Sequence, residues 1–267
     1  MSEGLFWPPE IPKISATVRL RHVQHYLSCS TAFRNLNTPI THKRLLLFDI
    51  DGTLIQSGGA GVFALQRGLA ERFGIEDNLE DIEIAGMTDS GIAASILRKH
   101  QVAPSPENVG TFLDSYVHFL ALELPQRVGA ILPGVLGLLG QLKARPQIVL
   151  ALLTGNVSRG AQLKLEHYGL WHFFELGAFA DDHQDRNELG PFARTRAREK
   201  HGQEFSAAQI DVIGDTPRDI ACGRAIDART IAIATGTWPR EELSAHHPDF
   251  LFDDLANVDE VIGTLGW

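Results

Sequence analysis

Cysteine, methionine and tyrosine are scarce in this chain, and positive charge is its minority sign. The two cysteines among 267 residues, Cys29 and Cys222, lie far apart and in no metal-binding spacing. That argues against a disulfide framework, and it fits a reducing cytosol, so a cytoplasmic location is expected. Lysine and arginine together number 24 against 33 aspartates and glutamates, for a net charge of −9. An acidic chain lacks the broad basic footprint that nucleic-acid binding requires, so no nucleic-acid partner is expected. No apolar run approaches the roughly 18 residues of a membrane helix, which argues against a membrane partner. The composition specifies no oligomeric state.

What remains is a chain that is 44% hydrophobic, enough for one sizeable core and a smaller accessory domain. Residues 1–42 read differently from the rest. "MSEGLFWPPEIPKIS" carries Pro-Pro, no periodicity and no continuous apolar centre of a secretory signal. The Arg, His and Ser scattered over 16–36 faintly resemble a transit peptide, but a loosely ordered N-terminal extension is the expectation.

From residue 45 onward, short apolar runs alternate with helical patterns. The runs predict strands at 45–49, 147–153, 174–179, 210–214 and 230–234, with a weaker one at 250–252. Helices are predicted over 134–144, 157–168, 191–201 and 217–226. Strand–helix alternation implies an α/β fold, a Rossmann-like parallel sheet covered on both faces. Residues 58–130 break the pattern, with no strand signal but two or three amphipathic helices. Val62, Leu65, Leu69 and Phe73 step by three and four, as do Val109, Phe112, Tyr116 and Leu120. A helical insert at this point leaves from the C-terminal edge of the sheet, where open α/β sheets bind ligands, and would act as a cap domain. The expected core domain is then 43–57 with 131–267.

Polar residues collect at the predicted strand ends. "LLLFDIDGTLI" places Asp49 and Asp51 after the first strand, "LLTGN" places Thr154, Gly155 and Asn156 after the second, and "GDTPRD" places Asp215 and Asp219 after the 210–214 strand. Carboxylates gathered in one small space repel unless a cation joins them, and hard oxygen ligands of this kind select Mg²⁺. Each cluster alone has a plainer reading as turn material or a helix cap, with Asp215 or Thr216 capping the last one.

Together, "FDIDGTL", "LLTGN" and "VIGDTPRDI" resemble motifs I, II and IV of the haloacid dehalogenase superfamily, and the insert resembles its C1-type cap, as in phosphoglycolate-phosphatase-like members. The resemblance implies that Asp49 is a nucleophile forming an aspartyl-phosphate and that Asp51 is the general acid and base. It implies Mg²⁺ held by Asp49, the Asp51 carbonyl and Asp215, with Asp219 as a direct or indirect partner. Thr154, Gly155 and Asn156 would bind the phosphoryl oxygens, and Thr53 would orient the loop. The acid at Asp51 points to a phosphatase or a phosphomutase acting on a small phosphorylated metabolite, rather than a dehalogenase. A catalytically retired phosphate-binding protein is the remaining alternative.

Motif III departs from the pattern. The loop "FADDHQDRNELGP" holds no Lys, and Arg186 stands where one is expected; the alternatives are a solvated arginine, or Lys164 or Lys200 from predicted helices. In the insert, "GMTDS" offers Thr88 and Asp89 either as substrate contacts or as the cap of a helix over 89–99.

Overall fold

The computed structural model describes residues 43–267; the expected N-terminal extension and Cys29 lie outside the described residues. Strand β1 (Arg44–Phe48) is apolar throughout Leu45–Phe48 because it is buried on both faces. The chain then runs through β2 (Ile55–Gln56), α1 (Ala60–Phe73), α2 (Asp89–Lys99), α3 (Pro106–Glu123) and β3 (Ala130–Ile131). After these come α4 (Val135–Lys143), β4 (Ile148–Leu153), α5 (Ser158–His167), β5 (Leu176–Ala178), α6 (Leu189–His201) and β6 (Ile210–Gly214). The remainder is α7 (Pro217–Ala225), β7 (Arg229–Ile233), α8 (Arg240–Ala245), β8 (Phe250–Phe252) and α9 (Val258–Leu265).

Six strands form one parallel sheet in the order β5-β4-β1-β6-β7-β8. Alternate residues of the central strands feed two cores. Leu46, Phe48, Leu150, Leu152 and Ile213 face α4, α5 and α9, whereas Leu45, Leu47, Val149, Ala151 and Val212 face α6 and α7. This is the doubly covered α/β architecture expected from the sequence. All six predicted strands form, within a few residues of their expected limits.

Helices α1, α2 and α3 form a third core around Leu65, Leu69, Ile92, Ile96, Phe112 and Tyr116, which Val157 and Ala180 join from the segments after β4 and β5. Their ends are specified locally. Thr88 caps α2 through the Gly91 amide, Ser105 caps α3 ahead of Pro106, and Gly74 ends α1 in the left-handed region at φ 64°. The segment is not wholly strandless, since its last residue, Ala130, pairs with Gln56, and Ile131 with Ile55, in a two-stranded antiparallel ribbon. Two-residue strands show no alternation and leave no periodic signal in the sequence. The ribbon brings the outgoing and returning chains together beside the sheet edge.

The opposite, N-terminal edge is tied by a buried carboxylate. Asp211 on β6 is fully buried and accepts from Arg44 Nη1 at 2.9 Å, Arg229 Nε at 2.7 Å and Trp267 Nε1 at 2.6 Å. One side chain thereby joins β1, β6, β7 and the last residue. Removing one partner of such a cluster strands the other charges, so Asp211→Ala is expected to lower unfolding free energy by about 3–5 kcal/mol, read as a shifted urea midpoint.

Candidate active site

Every chain segment that leaves the C-terminal ends of β1, β4, β6 and β7 enters one cavity of about 520 Å³, lined among others by Asp49, Asp51, Asp89, Lys164, Arg186 and Asp215. Asp49 continues the ladder by donating its amide to the Ile213 carbonyl at 2.9 Å. The chain then turns sharply: Gly52 takes φ 84°, and a Cβ there would lie 2.3 Å from Asp215 Oδ2. Only glycine satisfies both demands. Thr53 is fully buried, and its hydroxyl donates to Asp215 Oδ1 at 3.0 Å, so it holds a carboxylate rather than lining the cavity.

From β4, Thr154 is buried, and its hydroxyl oxygen accepts from Asn156 Nδ2 at 2.9 Å. The same Nδ2 reaches Asp51 Oδ2 at 2.9 Å. Gly155 packs against the insert, since a Cβ would fall 2.0 Å from the Met87 carbonyl oxygen. From β6, Asp215 faces Asp49 across the sheet edge, and Thr216 caps α7 reciprocally with Asp219. The capping reading of "GDTPRD" and the carboxylate-cluster reading therefore hold together. Asp219 Oδ2 accepts from Thr216 N at 3.0 Å and Oγ1 at 2.7 Å, while Oδ1 pairs with Arg186.

Arg186 is the cation of this cluster. It begins a short 3₁₀ turn after β5, lies buried, and pairs through Nη2 with Asp49 Oδ1 at 2.9 Å and with Asp219. Its Nη1 donates to the Gly86 carbonyl of the insert at 3.1 Å. It is not a solvated loop residue. Lys200 instead donates to the Glu175 carbonyl from an exposed position, and Lys164 reaches Asp51, not Asp49.

The electrostatics follow from burial. Asp49 is pushed up to about 6, first by desolvation, with Arg186 pulling it down and Asp219 and Asp51 pushing it up. Asp215 is raised well above its ordinary 3.8, by burial and then by Asp219 and Asp49. Burial disfavours charge on Arg186, but Asp219 and Asp49 more than offset it and fix the guanidinium as charged. One arginine among three buried carboxylates leaves a deficit of positive charge. Asp49, Asp215 and Asp219 each place an oxygen within 4.8 Å of the others. A hard divalent cation fits that deficit and that donor set. Because both Asp219 oxygens are engaged by protein donors, Asp49 and Asp215 are the better placed ligands.

Comparison with known proteins agrees with this geometry. The family model for haloacid dehalogenase-like hydrolases matches residues 46–233. The chain belongs to the haloacid dehalogenase-like hydrolases. Curated relatives include "Probable phosphatase IndB" of Dickeya dadantii, 28% identical over 221 residues, covering 81% of this chain and 92% of the relative. Phosphoglycolate phosphatase of Vibrio cholerae is 26% identical over 223 residues, covering 82% and 96%. Among solved structures, CbbY from Rhodobacter sphaeroides in complex with phosphate shares the fold with a TM-score of 0.67 at 19% identity, covering 81% of this chain and 96% of that one. A hydrolase from Pseudomonas syringae does so with a TM-score of 0.65 at 19% identity, covering 83% and 99%.

In this haloacid dehalogenase-like chain, the insert residues take mainly structural positions. Thr88 caps α2 and donates its hydroxyl to the Gln184 carbonyl at 2.6 Å, outside the cavity lining. Asp89 does line the cavity, but its Oδ2 accepts from the Val157 amide at 2.8 Å. Burial pushes Asp89 up to about 7, with Lys164 pulling it down. Two contributors were not among the expected residues. Thr235, after β7, donates its hydroxyl to the Gly52 carbonyl at 2.6 Å, and Gly236 lies against Asp215, where a Cβ would fall 1.7 Å from Oδ2. "ATGTW" reads as ordinary turn material, and only the sheet order brings it to β1 and β6. Among the described residues, His246 and His247 join no metal cluster; their carbonyls accept from Arg224.

Two expectations follow. Gly236→Ala should displace the Asp215 carboxylate and lower Mg²⁺ affinity by roughly tenfold or more, measured by isothermal titration calorimetry. Asp215→Asn concerns pH. A carboxylate raised in the native state holds a proton that the unfolded chain has already released, so metal-free stability falls as pH rises from about 4 through the raised native value. Thermal melts in EDTA should show wild type less stable at pH 8 than at pH 5, with Asp215→Asn narrowing that gap.

Proposed function

We propose that this chain is a Mg²⁺-dependent phosphatase that hydrolyses a small phosphomonoester through a covalent phosphate on Asp49. One observation carries the reading. Two carboxylates of the same loop sit in different surroundings: the Asp49 side chain is 6% exposed and paired with Arg186, while that of Asp51 is 41% exposed on the cavity. The guanidinium beside Asp49 opposes its protonation and so favours the ionised form a nucleophile needs, while exposure on the cavity gives Asp51 access to a leaving group.

In this reading an Asp49 oxygen attacks phosphorus as the ester P–O bond breaks, and Asp51 gives its proton to the departing alkoxide. Water then attacks phosphorus, Asp51 takes its proton, and the bond to Asp49 breaks to release inorganic phosphate. Bound Mg²⁺, held by Asp49, Asp215 and the Asp51 carbonyl, would lessen repulsion between the anionic nucleophile and the anionic ester. Arg186 keeps Asp49 oriented through both steps. Gly155 and Asn156 line the cavity, where the backbone amide of Gly155 is the candidate donor to the phosphoryl oxygens, while the Asn156 side chain is committed to Asp51 and Thr154.

Helices α1–α3 with their connecting loops, residues 58–130, serve in this reading as the cap over the site. A cavity of about 520 Å³ beneath it suits a small metabolite rather than a protein phosphate. Relatives named phosphoglycolate phosphatase make that compound the first to screen. Hydrolysis of p-nitrophenyl phosphate is expected with Mg²⁺ and not with EDTA, and Asp49→Asn should lose about 10³-fold or more. Phosphate binding without turnover would favour the retired scaffold, and hexose phosphate interconversion would favour a phosphomutase.

A further inference from the structure

Lys164 sits in the middle of α5, outside every motif, on the stripe of the helix that packs inward with Gly160, Ala161 and Leu165. Its neighbours on that stripe are small or apolar, and packing alone would favour another such residue. An ammonium there costs several kcal/mol in lost hydration unless it is paired. The side chain is 5% exposed, and Nζ lies 2.6 Å from Asp51 Oδ2 and 2.6 Å from Asn156 Oδ1. Asn156 Nδ2 closes the triangle on the same Asp51 oxygen at 2.9 Å. Tyr116 and Asp89 are the remaining polar side chains near it; a methyl at Gly61 would stand 3.9 Å from both Lys164 Nζ and Tyr116 Oη.

We infer that Lys164 is a positioning residue for Asp51, resting on the assignment of Asp51 as the proton carrier. Among the described residues, both side-chain donors to Asp51, Lys164 and Asn156, converge on Oδ2. The carboxylate is thereby held through Oδ2, which leaves Oδ1 as the oxygen that gives and takes the proton. The site has two cations with separate tasks: Arg186 holds the nucleophile, and Lys164 holds the acid. Lys164 is carried by α5, which begins just after the Thr154–Asn156 turn, so the oxygen's orientation is set by a rigid helix rather than by the β1 loop.

The test is a double-mutant cycle on Lys164→Met and Asp51→Asn, with wild type and Asp49→Asn measured alongside under saturating Mg²⁺. Wild-type turnover of p-nitrophenyl phosphate that vanishes in Asp49→Asn and falls steeply in Asp51→Asn establishes the underlying reading; full turnover in either variant overturns both readings at once and is visible before the cycle is examined. With that in place, Lys164→Met should lower kcat by roughly 10–100-fold with KM changed less than about threefold, and the double variant should be no slower than Asp51→Asn alone. Fully additive losses would overturn the inference. So would a raised KM at unchanged kcat, which would make Lys164 a direct substrate contact. Circular dichroism checks folding, and Lys164→Gln takes the same place in the cycle should the Met variant fail to fold.

Discussion

The constraint on which this molecule turns is the gathering of like charges at one end of a parallel sheet. Asp49, Asp215 and Asp219 are buried with an oxygen of each within 4.8 Å of the others, and one guanidinium stands among them. Burial raises Asp49 and Asp215 toward protonation, so the bare cluster costs the fold free energy. A divalent cation would remove that cost. In the proposed function this is stability given up locally for cation binding, and the rest of the sheet offsets it with two apolar cores and the Asp211 cluster at the far edge.

Arg186 connects this charge problem to the helical insert. The same guanidinium that pairs with Asp49 and Asp219 donates to the Gly86 carbonyl, and the Asp89 amide donates to the Gly155 carbonyl at 2.7 Å. Arg218 on α7 adds an exposed pair with Glu83 at 2.7 Å. The loop ahead of α2 is therefore fastened to the turns after β4, β5 and β6. A lysine at 186 would supply one charge but not the planar fork that meets two carboxylates and a carbonyl at once.

The α/β class, the order of strands and helices, and the family membership were legible in the sequence, because burial on both faces leaves unbroken apolar runs and the strand-end motifs sit where those runs stop. The β2–β3 ribbon was not legible, since two residues carry no period. Thr88 read as a cap or a contact, because a hydroxyl before a helix serves either need, and the fold places it as a cap. Gly236 carried no signal at all; its importance comes from a carboxylate contributed by another strand.

Lys164 shows most plainly where the sequence stops. Its local pattern marks a helix, and the sequence offers it only as an alternative to Arg186 for the motif III cation, with nothing to tie it to Asp51. Sequence alone determined which residues are apolar and which loops carry acid, and hence the fold class, because these follow from local periodicity; the candidate nucleophile came from the resemblance of the strand-end motifs to a known family. Tertiary structure alone decided which charge meets which: Arg186 with Asp49 and Asp219, Lys164 with Asp51, Thr53 with Asp215. Those pairings span tens to more than a hundred residues, and an ion pair depends on distance in space, which sequence spacing does not encode.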